Sequence, residues 1–531
     1  MPARRSANLF WLLAVAAGTA LRLYQLRDQV LVDDEWHALH ALLAGGPLDV
    51  LLSFGTSDHS IPLSLYDILL ERTIGLSELG MRMPALVSGI AALVAIPWLV
   101  RDLIDARASV ILAWLLAISP LNVFYSRYAR PYELAMLLCF VALVAFQRWE
   151  RGGGRGWQIA FVACAVLAPW LLLVVLPVVT APLVLAALVA LFGRASLRST
   201  RALAATALAV LAGLTLCLAP PLLANLGALS EKVARGSLDA TTLLGASELL
   251  LGTTSPVLRL VCGVAAIAGA VVLSRTQPRL ATLLTLACVL QIAGLLVLEP
   301  HGMRFAIVFA RYCLALLPIL LLTIAVGLDG AAGALVTRVR GLPRWVLPAV
   351  MLLALVLRGP LAWIDVYPND FTNHASYQAD YDPGRYFERF RPAVVPAFYG
   401  QLAQRPAGSV TIVEAPWHFF WHGLAYVQRI HRQHAVVGFV DHGPGTVRGG
   451  EVPRDRTGIR LRNALHVGDA AALRARGVDY VVFHRDALAE MRVPFAAAPV
   501  SVDEWITQYR QSYGEPTYED DAITVFALPR G

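Results

Sequence analysis

The stretch PALVSGIAALVAIPWLVRDLIDARASVILAWLLAISPLNVFYSRYARPYELAMLLCFVALVAFQRWERGGGR, Pro84 to Arg155, holds three apolar runs separated by two short polar gaps. Each run is close to the length at which a helix crosses a hydrocarbon core of about 30 Å. The first gap carries Arg101 and Arg107, and the third run ends on Arg148, Arg151 and Arg155. Arginine concentrates in the cytoplasmic loops of membrane proteins. Successive runs therefore alternate in direction, and the gap Phe124 to Pro131 faces outward.

Working outward, the pattern continues in both directions. A first run, Asn8 to Leu26, follows Arg4 and Arg5 and lacks a small-residue cleavage site, so it reads as an uncleaved span. Further runs start near Trp157, Val178, Ala202, Pro256, Leu280, Phe309 and Trp345, giving about eleven spans. The pair between Trp157 and Phe192 is the tightest. Arg194 with Arg198 and Arg201, Arg275 with Arg279, and Arg338 with Arg340 and Arg344 extend the alternation. The outward gaps are then Tyr24 to Met83, Phe124 to Pro131, Asn225 to Ser255 and Glu299 to Arg311. An odd span count leaves the C-terminal region outside.

Composition agrees with this class. The chain is 57% hydrophobic and 15% charged, with a mean hydropathy of +0.61, against about 25% charged residues in soluble domains. The net charge of +7 is spread over short loops rather than gathered on one patch, which argues against a nucleic-acid partner. Lys232 is the single lysine. The six cysteines all sit in apolar runs and read as small buried hydrophobes.

The expected fold is thus a polytopic α-helical membrane protein over 1–361, with a C-terminal extracytoplasmic α/β domain over 362–531. In that domain GSVTIVEAP, GVDYVVFHRD and DAITVFALP read as buried strands, and Trp417 to Arg429 and Ala470 to Arg476 as helices. The domain follows a tether from Tyr367 to Pro383. The first outer loop, 24–83, is too apolar for a solvated linker. Leu39 to Leu43, Leu48 to Phe54 and Ile61 to Leu70 are expected to be short helices on the membrane surface.

Three outward clusters carry chemistry. LVDDEWHALHALL, Leu31 to Leu43, sets Asp33, Asp34 and Glu35 together. One acid suffices to complement a helix N-terminus; three in succession suggest a positive partner or a catalytic duty. Asp33, His37 and His40 share a helical face, a possible divalent-metal site, although simple pairing of Asp33 with His37 is the preferred explanation. No cofactor is otherwise indicated. SPLNVFYSRYARPYELAMLL, Ser119 to Leu138, places Arg127 and Arg130 among Tyr125, Tyr128 and Tyr132, suited to gripping a phosphate at the outer leaflet. HGMRFAIVFARYCLALLP repeats the pattern with His301, Arg304, Arg311 and Tyr312. A carboxylate facing phosphate-binding cations is what inverting glycosyl transfer from a lipid phosphate needs. In the C-terminal region, His418 with His422, His431 with His434, and Asp441 with His442 are possible metal ligands. Packing of the aromatic stretch at Trp417 on the membrane surface is the simpler role for the first pair.

The order DDEWHA, DHSIPLSLYDILL, LGMRMPALVSGIAALV, SPLNVFYSRYARPYELAMLL and RYCLALLPILLL resembles the GT-C glycosyltransferases that use polyprenyl-phosphate sugars. Protein O-mannosyltransferases and bacterial lipid A aminoarabinose transferases are the branches it looks like, over about Leu9 to Leu328. The resemblance implies that Asp34 and Glu35 are the carboxylate pair, with Asp34 as base and Glu35 orienting it. Asp33, Asp58 and His37 become accessory or acceptor-side groups. Some relatives place a phosphate-binding lysine near the segment that begins at Asp58. His59, Arg127 or Lys232 would take its place here, alongside Arg130, Tyr128, Tyr132, Arg304 and Arg311. The implied partners are a polyprenyl-phosphate-linked sugar, the bilayer and an envelope glycan, lipid or protein acceptor. The implied location is the bacterial inner membrane, with a cytoplasmic N-terminus. A flippase of lipid-linked sugars would instead line a path with charges inside the spans. An O-antigen ligase or polymerase would put its catalytic residues in a large late loop.

Overall fold

The computed structural model describes residues 2–24, 26, 35, 46–54, 60–75, 77–192, 200–224, 238–300, 302–339, 341–363, 394–415, 427, 430–436, 446–447, 450–451, 470–475, 477–485 and 502–529. The chain divides into two compact units. One comprises Met1–Tyr24, Gly46–Tyr66 and Arg82–Ala362; the other comprises Gln25–Gly45, Asp67–Met81 and Trp363–Gly531.

The first unit is helical. In chain order its helices are α1 (Pro2–Leu23), α2 (Pro47–Leu51), α3 (Ile61–Thr73), α4 (Glu78–Val100), α5 (Ala106–Ile118), α6 (Pro120–Tyr125), α7 (Tyr132–Glu150) and α8 (Arg155–Leu171). There follow α9 (Leu176–Leu191), α10 (Thr200–Ala224), α11 (Ala240–Leu251), α12 (Pro256–Thr276), α13 (Pro278–Leu298), α14 (Ala306–Tyr312), α15 (Leu317–Arg338) and α16 (Val346–Leu357). Helices α3 and α4 begin in segments assigned to different units, and their later parts belong to the other.

A helix stands at each of the eleven expected spans. Among the described residues, seven helices are long and apolar enough to cross a membrane: α4, α7, α9 with its preceding 3-10 turn, α10, α12, α13, and α15 with its preceding turn. The apolar stretches of α1, α5, α8 and α16 are shorter, from 12 to 17 residues. Proline and serine explain two of the departures. Helix α5 ends after 13 residues because Ser119 caps the next helix through its side chain and Pro120 supplies no amide proton. The crowded segment 157–192 resolves into two helices, broken at Leu172, whose extended backbone follows the internal Pro169 of α8. The outward gap Asn225 to Ser255 contains an unexpected helix, α11, closed by Gly252 in the left-handed region at φ 70°.

Small residues set the tightest helix contact. A Cβ on Gly269 of α12 would run into the Thr323 carbonyl of α15, and one on Gly327 of α15 into the Ala265 carbonyl of α12. The two backbones meet directly, as small-residue pairs allow in membrane bundles.

The basic gaps gather at one end. Arg148 at the end of α7 bonds the Leu99 carbonyl at 2.8 Å and Asp102 at 3.3 Å. Arg107 pairs with Asp329 of α15 at 3.2 Å, and Arg151 donates to Gln277 before α13 at 2.8 Å. Helix α13 has 21 residues, so its far end lies about 31 Å from Gln277.

The second unit contains helices α17 (Ala397–Leu402), α18 (Ala470–Ala475) and α19 (Val502–Tyr513), and strands β1 (Thr411–Ala415), β2 (His434–Val436), β3 (Thr446–Val447), β4 (Gly450–Glu451), β5 (Tyr480–His484), β6 (Tyr518–Glu519) and β7 (Ile523–Ala527). The main sheet runs β2-β1-β5-β7-β6. Strands β2, β1 and β5 are parallel, whereas β7 and β6 join antiparallel. The three strands expected from sequence are β1, β5 and β7, each buried along most of its length. Phe398, Tyr399, Leu402, Ile412, Val482 and Val525 build a core on one face.

Candidate active site

The turn between α6 and α7 is built by its own punctuation. Ser119 caps α6, Pro120 opens it, and Pro131 precedes α7. Between them the backbone folds tightly: Arg127 N donates to Phe124 O at 2.9 Å and Arg130 N to Tyr128 O at 2.6 Å. Every residue from Ser119 to Glu133 is buried. Two arginines in so enclosed a turn are costly unless their charge has a use.

Aromatic rings fill the space around them. Tyr125 meets Tyr128 and Tyr132 edge-on, with centroids 5.9 and 4.9 Å apart, and Phe124 lies 5.0 Å from Tyr128. The Arg130 guanidinium carbon stands 5.8 Å from the Tyr132 centroid, and that of Arg311, from the last turn of α14, stands 5.5 Å from the same centroid. Tyr132 thus brings together the second and third sequence clusters: Arg130 and Arg311 stand 181 positions apart in the chain. Cation–π contacts of this kind contribute about 0.5–2 kcal/mol and fix where the planar guanidinium lies.

Arg127 points toward α1, donating through Nη1 to the Leu21 carbonyl at 3.0 Å. Burial, reinforced by the guanidinium groups of Arg82 and Arg22, lowers it to about 9. A neighbouring anion would favour its charged form. This end of α7 is opposite the Arg148–Asp102 contact, since α7 has 19 residues and spans about 28 Å.

The other candidates distribute as follows. Tyr128 and Tyr132 belong to the ring cluster. Arg304 is exposed, with its guanidinium over Phe305, and its carbonyl accepts from Thr242 of α11 at 2.5 Å. Glu35 is buried. Asp33, Asp34, His37, His40, Asp58, His59, Lys232, His301, His418, His422, Asp441 and His442 lie outside the described residues, as does the His434 side chain. Among the described residues no three His, Cys, Asp or Glu side chains come together to hold a metal ion.

Sequence reasoning passed over Arg22, Arg82 and Glu133, all fully buried, together with Asn122 and Ser126. Their signal was available: each charge sits at the edge of an apolar run, where an ionisable residue is a functional candidate by default. It also passed over Asp67, which is buried on α3, where burial raises its carboxyl well above the usual range.

The second unit holds a polar cluster of its own. His484 Nε2 and Glu414 Oε2 are 2.6 Å apart, and Tyr399 donates to Glu414 Oε2 at 3.0 Å. His431 stacks on Tyr399 at 5.7 Å, and its Nδ1 accepts from Gln433 N at 2.9 Å. Burial lowers His431 to about 3, so its ring is neutral at ordinary pH.

No protein-family model matches the chain, and no curated protein matches it. Among solved structures it is similar to ArnT from Cupriavidus metallidurans bound to undecaprenyl phosphate, at 13% identity over 98% of each chain with a TM-score of 0.48. The apo form of that protein gives 13% identity over 99% of each chain and a TM-score of 0.47. The archaeal oligosaccharyltransferase AglB from Archaeoglobus fulgidus, in complex with an inhibitory peptide and a dolichol-phosphate, gives 14% identity over 91% of this chain and 70% of that one, with a TM-score of 0.41.

Proposed function

We propose that this multi-pass membrane protein is an inverting glycosyltransferase that moves a sugar from a polyprenyl phosphate to an acceptor on the outer face of the membrane. The observation that carries the proposal is the convergence of Arg130 and Arg311 on Tyr132, beside Arg127 on the same buried turn. Three guanidinium groups at one end of the bundle suit a phosphate held at the bilayer edge, because the planar fork matches phosphate oxygens. The ordered sequence motifs of the GT-C enzymes supply the class of reaction.

In this mechanism Asp34 takes the proton of the acceptor hydroxyl, and Glu35 orients it. The acceptor oxygen attacks the anomeric carbon from the face opposite the phosphate, forming one glycosidic bond as the sugar–phosphate bond breaks. Polyprenyl phosphate leaves with one more negative charge, which Arg127, Arg130 and Arg311 stabilise. Preorganised donors of this kind are each worth about 10²–10³ in rate. The test is purified protein supplied with labelled polyprenyl-phosphate sugars and envelope acceptors. Transfer should occur in wild type and fall by about 10²-fold or more in Arg127→Ala. Full transfer by both Asp34→Asn and Arg127→Ala would remove the assignment.

A further inference from the structure

We infer that Arg22 is a positioning residue that sets the phosphate-binding turn, rather than a phosphate ligand itself; this rests on the function proposed above. Arg22 lies on the last turn of α1 and is fully buried. Its guanidinium is taken up by protein oxygens. Nε donates to Ser126 Oγ at 3.0 Å, Nη1 to the Gly18 carbonyl at 2.9 Å, and Nη2 to Asn122 Oδ1 at 3.1 Å and the Leu116 carbonyl at 3.4 Å. Glu133, buried on the first turn of α7, is its electrostatic partner.

The contact is reciprocal. Arg22 holds Ser126, and the next residue, Arg127, reaches back to the Leu21 carbonyl at 3.0 Å. Leu21 belongs to the last turn of α1, where carbonyls become available to partners from outside the helix, so one end of α1 and the turn complete each other. Ser126 also donates to the Asn122 carbonyl at 2.6 Å, which ties the turn to α6. From the other side α4 closes the assembly: a Cβ on Gly89 would run into Ser126 Oγ and lie 3.1 Å from Arg22 Nε. The turn that carries Arg127 and Arg130 is therefore clamped between α1 and α4. A shift of the clamp moves the guanidinium groups of Arg127 and Arg130. A displacement of about 1 Å in a positioned group can lower the rate by about a hundredfold.

The experiment uses the full chain in lipid nanodiscs, with polyprenyl monophosphate as the probe for binding and labelled polyprenyl-phosphate sugar for turnover. Ser126→Ala and Gly89→Ala make small changes on either side of the Arg22 guanidinium, and Arg22→Met and Arg22→Lys remove and partly keep its donors. Each variant should weaken polyprenyl-phosphate binding and raise the donor KM by about ten- to a hundredfold, with the acceptor KM unchanged and Arg22→Lys intermediate. Variants whose folded fraction binds polyprenyl phosphate as wild type does would overturn the assignment, whatever their melting temperatures. Wild-type protein that binds no polyprenyl phosphate would overturn the functional reading, and this one with it.

Discussion

Arg130 and Arg311 share one tyrosine ring, so their contributions are expected to depend on each other. Tyr132→Leu removes the surface that orders both guanidinium groups. It should lower transfer by about tenfold or more, and combining it with Arg311→Ala should cost less than the product of the single losses. A double-mutant cycle on initial rates measures this. His431 makes the second unit sensitive to acid. Its folded imidazole sits near 3 against an ordinary value of 6.5, because burial disfavours the charged form. The unfolded chain therefore binds a proton that the folded unit refuses, and stability rises with pH across that window. The stability is fully present above about 6.5 and is lost as pH falls toward 3. His431→Phe should flatten this dependence, read from hydrogen exchange in peptides covering α17 and β1 at graded pH. An unchanged slope would assign the acid sensitivity to other groups.

At the scale of elements, the backbone contact between α12 and α15 is the most exacting feature of the bundle. Gly327→Leu would force the two helices apart at the Ala265 carbonyl, at a cost of about 1–3 kcal/mol. Thermal unfolding in detergent should show a lower midpoint, whereas Gly330→Leu, three residues along the same helix with open space at its Cβ, should not. The elements also show how far sequence patterning reaches. Long apolar runs such as α12 and α13 were recognisable, because one hydropathy window decides them. So were β1, β5 and β7, whose continuous apolar runs mark strands buried on both faces. The break at Ser119–Pro120 and the helix α11 were not read. A capping serine changes the path of the chain without changing its average hydropathy, and α11, an apolar helix of 12 residues, is too short to register as a span. Within the candidate site, Arg127 and Arg130 stood out as outward arginines. Arg22, Arg82 and Glu133 mark only the edges of apolar runs in the sequence; what Arg22 does there rests on contacts with Asn122 and Ser126 about 100 positions away, which a local pattern does not show.

For the whole molecule, the two ends of the bundle differ in chemistry. One joins Arg107, Arg148, Arg151 and Arg344 to acidic and amide partners, and the other holds the Tyr132 cluster. Arg151 and Arg304 are both exposed and lie beyond opposite ends of α13. With an outward-facing site, Arg304→Cys should react with a membrane-impermeant maleimide on intact cells, and Arg151→Cys only after permeabilisation. The reverse pattern would invert the orientation and place transfer on the cytoplasmic face. A density map of the full chain with polyprenyl phosphate bound shows whether the turn after α6 holds the lipid phosphate. Phosphate density is expected within hydrogen-bonding reach, about 3 Å, of the guanidinium groups of Arg127, Arg130 or Arg311. Phosphate bound instead at the Arg107–Asp329 end, with this turn unoccupied, would contradict it.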